Sequence, residues 1–123
     1  MVIVLKDIKL SDNFMLSEFV CKCGCNQVVI NEDHIRKCQI MREFFGTSMS
    51  PYSAYRCLTH NRSVGSEDTS EHLHGATDWH KIKGYSLEEL WEYADAHFDG
   101  VGFYNWGAHT DSRGSRARWD KRF

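Results

Sequence analysis

The sequence predicts an α+β fold, a small antiparallel sheet with helices packed against it. Three observations lead there. Two stretches carry helical spacing of apolar residues together with start and stop signals. Three short β-like segments follow one another after Gly100, separated by glycine-containing turns. Strands and helices do not alternate as they would in a parallel βαβ sheet.

The elements follow in chain order. Residues 11–20, SDNFMLSEFV, suggest a short capped turn that buries Phe14 and Phe19. Asn31 can cap a helix from about Glu32 to Phe45. Acids open it, Ile35, Cys38, Met41 and Phe45 recur on one face, and Gly46 is a natural stop. Residues 49–56 read as extended chain, with Pro51 suited to an edge or a strand start. Residues 58–78 are rich in Ser, Gly, Asn, Asp and His and read as a long functional loop. Ser86 and Glu89 form a capping box for a helix over 87–98, with Leu87, Leu90, Trp91, Ala94 and Phe98 along one face. Segments 101–104, 108–111 and 116–119 are the expected strands.

The chain has 123 residues, enough for one compact domain over 1–123. Hydrophobic residues make up 41% and charged residues 26%, a globular balance. A formal net charge of -2 argues against a nucleic-acid partner, which calls for a basic face. Residues 113–122 are locally basic but contain acids, and read as a solvated end before a patch for an anionic polymer. No segment approaches a membrane span. The apolar start at residues 1–5 is too short for a signal peptide, so a target outside the cytoplasm implies delivery by another route. A monomer is expected.

Five cysteines is an odd number, and reduced thiols are the default reading. Cys21, Cys23 and Cys25 form a tight run. A second metal site or a thiol-based redox role is one interpretation. Structural or incidental thiols are preferred, because zinc sites more often space their ligands further apart and no nearby histidine completes a set.

The chemistry concentrates around residues 72–80 and 109–111. His72, His74 and His80 cluster with Asp78, and His109 and Asp111 share one face of a predicted strand. A catalytic zinc needs about three N/O ligands and an open position for water. His72, Asp78 and His109 would supply that set, and the metal would acidify bound water and polarise a scissile carbonyl. From these residues alone, surface histidines compete evenly with a metal site. The His-Glu-x-x-His string of the zincins is absent.

The segment SAYRCLTHNRSVGSEDTSEHLHGATDW, residues 53–79, resembles the signature of the zinc D-alanyl-D-alanine carboxypeptidase family. That family includes phage and bacterial peptidoglycan endopeptidases and shares its fold with the hedgehog signalling domain. The resemblance rests on Ser53, Tyr55, Arg56, His60, Asn61, Val64, Gly65, Ser70, His72, Gly75 and Asp78. It continues in GVGFYNWGAHTDSRGSRARW, residues 100–119. At the start, LSEFVCKCGC, residues 16–25, is similar to one branch with an N-terminal Glu-Phe-x-Cys-x-Cys-Gly stretch, which has endolysin-type members.

The resemblance implies a hedgehog-like single domain and Zn2+ bound by His72, Asp78 and His109. It also implies a peptidase for stem peptides of bacterial peptidoglycan, either a D,D-carboxypeptidase or an endopeptidase. Arg56 matches an arginine that holds a substrate carboxylate or carbonyl, as its bidentate fork suits planar oxygens. Ser70 shapes the ligand loop or contacts substrate. His74 and His80 are spare: each is a substitute ligand, an oxyanion donor or simply exposed. His74 is placed with the substrate-binding residues.

Two departures stand out. The spacing from His72 to Asp78 is six, one short of the family's. Either the loop is shorter, or a position is missing between Gly75 and Ala76; the match of Ala76-Thr77-Asp78 to the family's tail favours the second. No acid precedes His109 where several members carry a general base. Asp111 is then the best local candidate, with an orienting role for His109 as its alternative, and Glu71 is a weaker one. The missing base also keeps open a non-catalytic, metal-containing binding module of the same fold.

Overall fold

The computed structural model describes residues 1–3 and 6–123. The apolar start over residues 1–5 therefore falls in part outside the described residues. Among the described residues no helix is long and apolar enough to cross a membrane.

Helix α1 spans Glu32–Phe45, with the Asn31 side chain accepting from the His34 amide at 3.1 Å. It ends on Gly46 at φ 63°, whose N–H donates to the Arg42 carbonyl. This left-handed stop is one that glycine adopts without strain. Ile35, Cys38, Met41 and Phe45 all turn into the core as their spacing requires. Helix α3 spans Leu87–His97 behind the reciprocal Ser86–Glu89 box. It buries Leu90, Ala94 and also Tyr93, a position the apolar stripe did not include. Phe14 and Phe19 close the core from a 3-10 turn at Leu16–Glu18, with Phe14 packed against the fully buried Trp79.

The stretch expected to be one long loop is more structured. It contains a short helix, α2, over Leu58–Ser63 and a 3-10 turn over Glu71–His74, and it runs into a strand, β1, over Thr77–His80. Cys57 caps α2 through its sulfur rather than through Ser, Thr, Asp or Asn, so the usual start signal was missing. Residues 49–56, by contrast, form no strand. They make only an isolated bridge between Ser53 and Asp78.

Strands β2 (Gly100–Tyr104), β3 (Gly107–Asp111) and β4 (Ala117–Asp120) complete a sheet in the order β1-β3-β2-β4. The pairs β1–β3 and β2–β3 are antiparallel, whereas β4 runs parallel to β2. The sheet is thus mixed at its last strand. Residues 112–116 carry the chain past the end of β2, from the Gly100–Asp111 pair to the Gly100–Ala117 pair. Arg118 secures the arrangement by donating to Asp95 at 2.7 Å and to the Phe98 carbonyl at the end of α3 at 3.1 Å.

Strand alternation separates the two faces of the sheet. Thr77, Trp79, Ala108, Thr110 and Val101 are fully buried or nearly so on the core face. There Thr110 Oγ1 lies 2.9 Å from Thr77 Oγ1 and accepts from the Trp79 indole at 2.9 Å. His34 joins this network through Thr77 at 2.8 Å and Ser112 at 2.7 Å. The opposite face carries Asp78, His109, Gly102 and Trp119 in one row, since each pairs with the next across the strands.

Candidate metal centre

Asp78 and His109 are partners in the β1–β3 register, so their side chains meet on the outer face. His72 arrives from the 3-10 turn. Ser70 caps that turn by accepting from the His72 amide at 3.2 Å. His72 Nε2 lies 3.0 Å from Asp78 Oδ2, His109 Nδ1 lies 3.1 Å from Asp78 Oδ1, and the two histidine nitrogens are 3.3 Å apart. All three residues are buried.

The extended stretch before α2 acts as a strap that positions two of these groups. Ser53 O accepts from the Asp78 amide and Tyr52 N donates to the Asp78 carbonyl, both at 2.8 Å. Ala54 O takes the His72 Nδ1 proton at 2.7 Å, and the Arg56 amide donates to the His72 carbonyl at 3.0 Å.

The hydrogen bonds fix which ring nitrogens are free. With Nδ1–H of His72 given to Ala54, its Nε2 presents a lone pair. His109 Nε2 faces Asp111 Oδ2 at 2.8 Å, so its Nδ1 presents the other. Two imidazole lone pairs and a carboxylate converge, and in neutral histidines no proton lies between them. A cation satisfies that arrangement. Ligands about 2.0–2.1 Å from a tetrahedral zinc sit about 3.3 Å from one another, close to the separations seen here. The residues therefore fit a bound zinc, with the cleft leaving a further position open.

The buried carboxylates and imidazoles shift one another's titration. Burial alone would raise the Asp78 carboxyl, but the facing His109 and His72 imidazoles outweigh it and hold it well below the usual carboxylate range. Burial would lower His109, and the flanking Asp111 and Asp78 carboxylates raise it instead. Asp111 is likewise pushed up by burial and brought well below its ordinary value by His109 and Arg113.

The six-residue spacing from His72 to Asp78 closes without an additional residue. Gly75 takes φ 93°, and the Ala76 amide donates to the Glu71 carbonyl at 3.1 Å. A side chain at Gly75 would also press on the Val29 carbonyl at 2.9 Å. The reading of a missing position is not needed to bring the three groups together.

The centre forms part of the wall of an open cleft of about 680 Å³. Arg56 and Ser70 line it too, as do Glu71, Tyr104, Trp106 and Trp119. Arg56 is half-buried and its Nε is enclosed without a hydrogen-bond partner. Trp119 lies over the strand at Gly102, where a Cβ would collide with the indole, and its ring comes within 4.9 Å of that of His109. Its indole N–H donates to Tyr104 Oη at 2.7 Å.

Three candidates fall elsewhere. His74 is exposed and does not line the cleft, because the 3-10 turn that buries His72 carries His74 outward. Asp111 is 2% exposed and sits behind His109, held by Arg113 Nη2 at 2.7 Å. Its carboxylate faces the ring nitrogen opposite the metal centre, which is the geometry of an orienting group. His80 is exposed too, packed at a tilt against Tyr52 and hydrogen-bonded to the Trp106 carbonyl. Sequence reasoning missed the Ala54 carbonyl, which no side-chain pattern reveals, and the indole cover. The alternation of Gly100 and Gly102 on β2 was the available signal for the latter.

Comparison with curated proteins gives no match. A sequence profile described as Peptidase M15 matches residues 12–111, most of the chain and all three converging residues. This chain belongs to the Peptidase M15 family, a family of metallopeptidases.

Proposed function

We propose that the protein is a zinc-dependent peptidase that hydrolyses amide bonds in the stem peptides of bacterial peptidoglycan, in the manner of an endolysin-type enzyme. The observation that carries this reading is the convergence of His72, Asp78 and His109 in a cleft that also holds the unpartnered Arg56. A zinc held by the three residues supplies, when bound, a Lewis acid that acidifies water and polarises a carbonyl.

The chain's own residues do the rest. Ala54 and Asp111 keep each imidazole in the tautomer that turns a lone pair to the metal. The Arg56 guanidinium takes a carboxylate or carbonyl of the peptide, giving its buried Nε the partner it lacks. Glu71 precedes His72, lines the cleft, and is only loosely engaged, 3.9 Å from Arg113. It is the carboxylate we assign to accept a proton from the attacking water, whereas Asp111 is enclosed behind His109. The indoles of Trp106 and Trp119 form apolar wall along which an extended peptide can lie.

Digestion of purified peptidoglycan, followed by mass spectrometry of the released muropeptides, tests the reading. Cleaved stem peptides or cross-bridges on intact glycan are expected. Intact peptides after digestion with the zinc-loaded protein would overturn it.

A further inference from the structure

The sulfurs of Cys21, Cys23, Cys25 and Cys57 all lie within 4.8 Å of one another. The tight Cys-x-Cys-x-Cys run looked unsuited to a metal and short of a fourth ligand. The fold removes both objections. Gly24 at φ 91° and Asn26 at φ 60° turn the run back on itself, and the Cys21 amide closes the loop on the Gln27 carbonyl at 2.9 Å. Cys57, remote in sequence, supplies the fourth sulfur from the start of α2.

We propose that these four cysteines form a second metal site, a closed four-thiolate zinc site of structural type. The Cys21–Cys23 and Cys23–Cys57 sulfur separations are 3.5 and 3.7 Å. A tetrahedral zinc with bonds of about 2.3 Å places its sulfurs about 3.8 Å apart. A disulfide requires about 2.05 Å, and all four are free thiols.

Backbone amides already point at two of the sulfurs, Cys57 N–H at Cys21 Sγ and His60 N–H at Cys57 Sγ, each at 3.4 Å. Such donors stabilise sulfur in its charged form. Four protein ligands leave no open position, which separates this site from the His72–Asp78–His109 centre. Its place in the fold gives it a task. It ties the 21–25 loop to the residue directly after Arg56, and so fixes the arm that carries Arg56 into the cleft.

Cobalt substitution tests the site without reference to activity. The full chain is produced in cobalt-supplemented medium, alongside a Cys23→Ser/Cys25→Ser variant and an Asp78→Ala/His109→Ala variant. Wild type is expected to show intense sulfur-to-cobalt charge-transfer absorption. The Asp78→Ala/His109→Ala variant should keep that absorption, and the cysteine variant should lose it together with one metal equivalent per chain. Wild-type protein lacking the charge-transfer band would overturn the proposal whether or not any variant folds. So would a native mass two hydrogens lighter, which shows a disulfide. Loss of metal from the histidine centre alone would count against the proposed peptidase and leave this site standing.

Discussion

His109 Nε2 and Asp111 Oδ2 are 2.8 Å apart, and this contact determines that Nδ1 of the same ring faces Asp78 and His72. The carboxylate is itself held in place. Arg113 donates to both of its oxygens, and Gly100 on the neighbouring strand has no side chain to displace it. Asp111 is expected to act on the metal through His109. Asp111→Ala is expected to weaken zinc affinity about 10–100-fold, measured by competition with a chromophoric chelator, while kcat at saturating zinc stays within a few-fold of wild type. Unchanged affinity with kcat lost by orders of magnitude would place Asp111 on the reacting water instead.

Arg56 is expected to act on substrate rather than on metal. Its Nε is enclosed and unpartnered in the cleft wall. Hydrogen bonds to a charged group contribute about 1.5–3 kcal/mol, so Arg56→Ala should raise KM roughly 10–100-fold with zinc content unchanged. Arg56→Lys should recover only part of this, because an ammonium cannot form the two-pronged contact. Steady-state kinetics on a stem peptide decide it.

Glu71 is a part-buried carboxylate in the wall of the same cleft, and general-base catalysis is typically worth 10²–10⁴-fold. Glu71→Gln should lower kcat by about that factor while zinc stoichiometry and the folded state persist. A variant with wild-type kcat would remove Glu71 from the chemistry.

His34 lies on the other face of the sheet, between Thr77 and Ser112. Burial first, and the charges of His109 and Lys37, bring it down to about 3, against the raising influence of the Asp111 and Asp33 carboxylates. Between about pH 3 and 6.5 the unfolded chain therefore binds a proton at this position that the folded chain does not. Stability attributable to His34 rises with pH across that window and is lost as pH falls, with a slope approaching about 1.4 kcal/mol per unit. Urea unfolding of wild type and His34→Gln at several pH values should show the variant with the shallower dependence. Equal slopes would contradict the neutral, buried state of His34.

What was legible in the sequence is what is local. Asn31 and Gly46 mark α1 because a cap and a left-handed stop are single-residue chemistry. Ser86 and Glu89 mark α3 for the same reason. The pairing of His109 with Asp111 followed from strand alternation. Long-range relations were not legible. Strand β1 begins at the end of a stretch whose composition reads as loop, and its pairing with β3 makes it a strand. The parallel placement of β4 depends on Arg118 reaching the end of α3, a contact no spacing announces. Cys57 is far along the chain from Cys21, Cys23 and Cys25, and only the fold sets it beside them. The outward turn of His74 was not legible either, since only the 3-10 turn separates its exposed ring from the buried one of His72.

The central claim is that His72, Asp78 and His109 hold the metal on which peptide hydrolysis depends. Its most direct test is the release of new amine termini from purified peptidoglycan, followed in parallel for wild type and Asp78→Ala. Wild type should release amines, stop when a chelator removes the metal and resume when zinc is restored, while Asp78→Ala stays inactive throughout with its four-cysteine cobalt band intact. Amine release that survives chelation, or that persists in Asp78→Ala, would contradict the account.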